Sequence, residues 1–472
     1  MRKPSLRTVA RWLWALVMLS LPITSFRYYP HIFGTTQVKP LAFLPLAAYL
    51  PVGLWLAWKE RRWRWLGALV PLVAFGLAAL LSTIWGWLHS PLPLFGIGYL
   101  GRTLRAWISF GVGLSFLLGA LLAHQSEEDI RWSLRWLYVG FLGVALWGSL
   151  QIVAIKFYKP LWPLLNKVQK MFSIQGMMPR RISGMAYEPS WFADQLVSLY
   201  LPWLVAALLS GYALFRRWWW TAVLLAWAGV LLVFTYSRSG VLVAVGAAAA
   251  VVVLGALRWG GQRLRAETLA RAWRRSLAAV AVAVLLVLVG GAVLMQNEYF
   301  ASLFQRKPGQ SWVDYFVGAR SGARLAYAWA AMSSFDRSPW LGVGLGASGF
   351  NLYGDLPEWS ATLPEIARYT SPYYHVFPNP KNMYVRLLAE TGILGFMTFL
   401  AFVLYMLGQA LAWWREETPY ARFMGMAGVW ILAAVALRWF TQDSLAMPNV
   451  WLGLGMMLGP MVQRIRPRDN AS

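Results

Sequence analysis

The 472-residue chain is 59% hydrophobic and 13% charged, has a formal charge of +25 and contains no cysteine. A water-soluble protein of this length needs more polar surface than that, and without cysteine neither a disulfide nor a thiolate metal site can form. On a soluble chain the excess of Lys and Arg would point to nucleic acid. Here it falls mostly in short loops between apolar runs, the pattern of loops on the inner side of a membrane, so no nucleic-acid partner is expected.

In chain order, apolar blocks fall at roughly 8–25, 39–57, 65–87, 104–123, 132–155, 190–209, 217–236, 239–257, 276–295, 383–412, 422–440 and 446–463. Each approaches the ~20 residues that a crossing helix needs. A backbone in lipid must satisfy its own hydrogen bonds, which selects the helix. The expected fold is an all-α polytopic membrane protein of about 12 transmembrane helices, with a large, partly helical outer loop. The first block follows a basic start but lacks a small-x-small cleavage site, so it reads as a retained span.

Alternating sides from a cytoplasmic N-terminus puts Lys59-Glu60-Arg61-Arg62, Arg216-Arg217, the 258–275 stretch, Arg415 and the basic tail inside, with the C-terminus. The organisation that follows is N-terminal spans over 1–155, an outer loop over 156–189, central spans over 190–295, a large outer loop or lid over 296–382 and C-terminal spans over 383–472. The lid is rich in Trp, Tyr and Phe, which argues for a folded unit.

Within the first outer segment, Leu164, Leu165, Val168, Met171 and Phe172 share one helical face, and Asn166, Lys167, Gln169 and Lys170 share the other. Such a helix lies either at the lipid headgroups or against the protein itself. LGVGLGASG (341–349) has no strand–helix context and reads as a tight loop, not a phosphate cradle. His31, His89, His124 and His375 lie far apart without ligand spacing, so no metal and no cofactor are expected.

The span centres carry few ionisable groups. The polar residues cluster instead at the predicted outer helix ends: Arg180, Arg181, Glu188 and Asp194; Arg238; Arg320 and Arg324; Lys381, Arg386 and Glu390. Outer loops are normally poor in Arg. Arg320 and Arg324 are four apart and share a face if GARSGARLAYAWAAM is helical, with Tyr327 extending it. The guanidinium fork suits phosphate oxygens. The alternative is that these arginines snorkel to ordinary headgroups or nearby carboxylates.

Four segments in order carry a resemblance: RRISGMAYEPSWFADQL (180–196), YSRSG (236–240), GARSGARLAYAWAAMSSFDRSPWLGVGLGASGF (318–350) and NPKNMYVRLLAETGILGF (379–396). Together they resemble the O-antigen ligase and O-antigen polymerase family. The resemblance covers about the second half of the chain. It implies a metal-independent glycosyltransferase of the bacterial inner membrane that faces the periplasm. Such an enzyme takes a glycan from undecaprenyl pyrophosphate and passes it to lipid A–core (ligase) or to a lipid-linked repeat unit (polymerase). Arg181, Arg238, Arg320, Arg324 and Lys381 would bind pyrophosphate. Glu188 or His375 would serve the acceptor hydroxyl and Arg238 the reaction centre, with Arg180, Tyr327, Asn382, Arg386 and Glu390 as further candidates. Partners would be the lipid-linked glycan, the bilayer and a chain-length regulator protein. Where ligases of the family carry a histidine before the Asn, this chain has Lys381, which favours the polymerase. A transporter or flippase of lipid-linked sugars is the alternative of another class; it needs a polar path through the span centres.

Overall fold

The computed structural model describes residues 5–30, 36–61, 64–260, 308–371, 373–374 and 376–463, with isolated positions between 292 and 306. The protein is an all-α polytopic membrane protein. Eleven of the twelve apolar blocks coincide with helices, and seven helices among the described residues are long and apolar enough to cross a bilayer. The block at 276–295 and most of the 258–275 stretch lie outside the described residues, as does His375.

Local chemistry sets the helix ends. Ser126 caps the helix from Glu127 by accepting from the Asp129 amide at 3.2 Å, and Glu127, Glu128 and Asp129 complement the dipole in its first turn. Thr418 caps Pro419–Arg438, with proline in the first turn. At the end carrying these caps, Arg7–Glu60 (2.7 Å) and Arg11–Glu128 (2.9 Å) pair between segments, and Arg131–Glu127 (2.9 Å) pairs one turn apart within the helix. These pairs are exposed and individually weak.

At the opposite end one helix is broken. Met383–Arg415 contains Gly392 in a left-handed extended conformation (φ 61°, ψ −169°). Inside lipid such a break strands backbone groups. The 339–344 loop satisfies them on both sides. Val343 and Gly344 donate to the Ala389 and Glu390 carbonyls (3.0 and 2.9 Å), while Ile393 and Leu394 donate to the Pro339 and Trp340 carbonyls (2.8 and 3.3 Å). The Ser82 hydroxyl donates a second bond to the Glu390 carbonyl (2.5 Å) and receives the Gly344 amide (3.1 Å). A Cβ on Gly392 would lie 2.3 Å from the Trp340 carbonyl oxygen. The glycine-rich 341–349 stretch is thus a tight loop that splints a broken helix.

The lid carries its own small core. Ala326, Tyr327, Ala330, Ala331, Leu352, Leu363 and Ile366 pack together and onto Ala389, with Val385 alongside. This seats the lid helix Gly322–Arg337 on the first turns of Met383–Arg415. Two expectations are corrected here. Arg320 precedes the lid helix: it closes Trp312–Gly318 in a left-handed turn (φ 54°), with Ser321 donating to the Phe316 carbonyl at 2.8 Å. Arg320 and Arg324 therefore do not share a helical face. Tyr327 is turned into the lid core, whereas Arg324 is exposed.

The amphipathic helix forms at Leu161–Phe172 but is not polar on one side only. Gln169 is buried and accepts from Trp147 (2.7 Å) and Gln151 (3.3 Å), while Leu164 and Met171 are exposed. The helix therefore packs on the protein through Gln169 and Leu165 and leaves an apolar edge outward.

The joint yields a paired prediction. Gly392→Ala should cost about 2 kcal/mol or more, because a Cβ is strained in this conformation and meets the loop. Gly408→Ala, in the same helix with open space around it, should be neutral or slightly stabilising. Thermal melting of both variants in detergent checks this.

Candidate functional site

All four family-like segments converge at the end of the bundle where the helix is broken. The first two are joined directly: Arg181 Nε donates to the Thr235 carbonyl at 2.8 Å, and the Ile182 amide to the Phe234 carbonyl at 3.3 Å. A Cβ on Gly240 would stand 2.5 Å from that of Ala193, so glycine lets the 236–240 turn press on the helix Pro189–Gln195. The second and third are joined by Arg238, which begins Arg238–Gly260 and donates to the Ala319 carbonyl at 2.6 Å, one residue before Arg320. The third and fourth meet at the Gly392 joint.

The backbone is strained here. Among the described residues five non-glycine positions have left-handed φ, and four belong to this end: Phe95 (53°), whose ring packs on Tyr353, Tyr236 (47°), Arg320 (54°) and Lys381 (59°). Each costs about 1 kcal/mol or more and persists only where neighbours fix it. Lys381 is fixed by its amide, which donates to Asp443 Oδ2 at 3.0 Å. Asn382 then caps Met383–Arg415, accepting from Tyr384 (2.9 Å) and Val385 (3.2 Å), and Met383 donates to the Trp439 carbonyl at 2.8 Å. Asn382 is therefore a helix cap that sets the direction in which Lys381 leaves the chain.

Two of the sequence candidates are occupied by scaffolding. Arg386 Nε pairs with Glu390 Oε2 at 2.9 Å, both buried. Glu390 Oε2 also receives the Gly346 amide (2.7 Å), and Oε1 the Ser348 hydroxyl (2.9 Å). Arg386 Nη1 donates to the Asp443 carbonyl at 2.5 Å. A carboxylate held this way ties the glycine loop to the helix.

The remaining polar groups are more open. Glu188 is half-buried at the start of Pro189–Gln195 and receives the Ser190 hydroxyl. Burial, then the charges of Glu188 and Tyr369, push the adjacent Tyr187 phenol up, so it stays a neutral donor. Tyr369 also lies within electrostatic reach of Tyr327 and Tyr353, which joins the lid to this rim. Arg180, Arg320 and Arg324 are exposed, and Arg324 and Glu188 both lie within electrostatic reach of Asp194.

Three residues of this end were not singled out from sequence. Arg438 pairs with Asp194 (2.6 Å) and donates to Ser239 (2.9 Å) and Thr441 (2.8 Å), so it anchors the residue next to Arg238. Asp443 fixes Lys381. Arg102 donates to the Gly346 carbonyl (3.1 Å) and Asn379 Oδ1 (2.8 Å). Arg438 had a readable signal: a lone arginine at the predicted outer end of an apolar run, the rule that selected Arg238. Among the described residues no group of three His, Cys, Asp or Glu could hold a metal ion.

Residues 221–400 match the family model described as Wzy_C, O-antigen ligase. Over that stretch the chain is similar to this domain, which supports the resemblance to the O-antigen ligase and polymerase family and leaves the two activities undivided. The match spans three of the four segments and stops before Arg438 and Asp443. A comparison with curated proteins finds no match.

The buried Asp194–Arg438 pair gives a test of the scaffold. Arg438→Leu leaves an uncompensated carboxylate in a buried place and should cost about 3–5 kcal/mol, whereas Asp194→Leu combined with Arg438→Leu should cost clearly less. Melting by fluorescence-detected size exclusion checks both.

Proposed function

We propose that the protein is a metal-independent polysaccharide polymerase that transfers a glycan from undecaprenyl pyrophosphate to the acceptor sugar of another lipid-linked repeat unit. The observation that carries this reading is the convergence of the four segments. Each brings a cation to one end of the bundle, and backbone contacts fix the residue or the turn that bears it. A leaving pyrophosphate accumulates negative charge as its bond to the sugar breaks. Cations held in place beforehand stabilise that charge without reorganising.

In this reading Arg181, Arg238, Arg320, Arg324 and Lys381 surround the pyrophosphate. The acceptor hydroxyl oxygen attacks the anomeric carbon of the donor sugar, the bond from that carbon to the phosphate oxygen breaks, and the polyprenyl pyrophosphate leaves with the electron pair. The hydroxyl proton passes to a base, for which Glu188 is placed at the rim beside Ser190 and Tyr187. Lys381 in place of a histidine supplies charge, not a base, and favours the polymerase. The ligase uses the same donor with lipid A–core as acceptor, and the match to an O-antigen ligase domain favours it as the second reading.

The site would face the periplasm of a bacterial inner membrane, with both termini cytoplasmic. The basic loops at the other end, carrying Lys59, Arg61, Arg216, Arg217 and Arg415, support that orientation.

The test is a reaction in nanodiscs with undecaprenyl-pyrophosphate repeat units, EDTA and no nucleotide sugar. A ladder of lengthening products is expected, and Arg238→Ala should reduce it by about a hundredfold while inserting normally. Transfer only after adding lipid A–core makes the protein a ligase. A fully active Arg238→Ala protein contradicts the site assignment.

A further inference from the structure

Lys381 lies on a short arm between two prolines and a helix cap, and what holds the arm comes from a distant part of the chain. Arg102, in the first turns of Tyr99–Ala123, reaches across with two prongs: Nε to the Gly346 carbonyl at 3.1 Å, and Nη2 to Asn379 Oδ1 at 2.8 Å. Its guanidinium also lies 4.3 Å from the centre of the Phe377 ring. Arg102 thus grips both the glycine loop and the arm that leads into Lys381. Asp443 takes the Lys381 amide from the other side.

Charges of both signs surround this grip. Glu390 and Asp443 attract Arg102, while Arg386 and Arg105 oppose it, so Arg102 sits in a cluster of both signs. Arg102 is therefore held at a fixed point from which a fork, not a point charge, makes two directed bonds.

We infer that the Arg102–Asn379 tether is a positioning device for Lys381: it holds the arm so that the left-handed Lys381 presents its ammonium to the leaving phosphate. This rests on the pyrophosphate reading of Lys381 given above. It assigns a role in the reaction to a residue outside the four segments and outside the matched domain. The device adds to the contacts that hold the arm, among them the Tyr353 hydroxyl on the Val376 carbonyl (2.7 Å) and the Phe350 ring on Phe377. A lysine at φ 59° relaxes to ordinary backbone unless both flanks are fixed; the tether and Asp443 hold the N-terminal side, and the Asn382 cap holds the C-terminal side.

The experiment uses the full chain in nanodiscs. Arg102 itself belongs to this charge cluster, and removing its charge threatens folding. The primary variant is therefore Asn379→Ala, which cuts the tether and leaves the charges in place, with Arg102→Lys as the charge-keeping companion. Glycan transfer is measured together with inhibition by inorganic pyrophosphate. Asn379→Ala should lower kcat by about tenfold or more, as misplaced groups do, and weaken pyrophosphate inhibition, with melting unchanged. Arg102→Lys should fall between it and wild type.

The deciding measurement is the double variant. On a Lys381→Ala background, Asn379→Ala should add less than about a twofold loss, because residues acting as one unit are not additive. If the two losses multiply, or if Asn379→Ala is fully active while Lys381→Ala is impaired, the tether is overturned and the pyrophosphate reading stands. If Lys381→Ala and Arg238→Ala are both fully active, the pyrophosphate reading itself fails.

Discussion

The break at Gly392 governs the architecture of the functional end. A helix entering lipid cannot leave carbonyls and amides unpaired, because each unsatisfied group costs several kcal/mol where no water can replace its partner. Here the missing partners come from residues 339–344, and the Glu390 carboxylate fastens the rest of that loop through Gly346 and Ser348. The lid is therefore bonded into the membrane helix at the point where that helix emerges. Everything at this end inherits its position from the joint: the lid core on Ala389, the lid turn with Ala319 that holds Arg238, and the arm bearing Lys381.

Charge is divided along the same axis. Among the described residues the buried acidic and basic side chains are Asp194, Arg238, Arg386, Glu390, Arg438 and His124, and all but His124 belong to the lid end. Two ion pairs, Arg386–Glu390 and Arg438–Asp194, are closed scaffolding. Arg180, Arg320 and Arg324 remain exposed to solvent. Such a separation suits a site that must meet a large anionic headgroup from outside. Buried pairs set the geometry, and cations at the rim supply the field.

Much of the fold was legible in sequence, because run length and the hydrogen-bond demand of lipid leave few choices. The helix ends followed from where polar residues interrupt the runs. The convergence at one end followed from counting alternate sides. What was not legible were pairings across long separations. Arg102 meets Gly346 and Asn379 more than two hundred residues away, and no local pattern announces it. Glu390 and Arg386 looked like site residues because a charge near a helix start reads the same whether it faces a ligand or a loop. Arg320 was misread for a different reason: GARSGAR has helical spacing, but the turn that closes Trp312–Gly318 takes Arg320 into a left-handed position before the next helix starts. Tyr327 illustrates the same limit, since helical phase alone does not say which side of an amphipathic stretch meets the lid core.

The account stands on the claim that the lid end binds a lipid pyrophosphate. The most direct measurement is native mass spectrometry of the protein released from detergent after titration with polyprenyl pyrophosphate. Wild type is compared with charge reversals at the two ends, Arg238→Glu and Arg415→Glu. The account predicts one bound lipid on wild type, retention in Arg415→Glu and loss in Arg238→Glu. Equal binding by all three proteins, or loss only in Arg415→Glu, would contradict it.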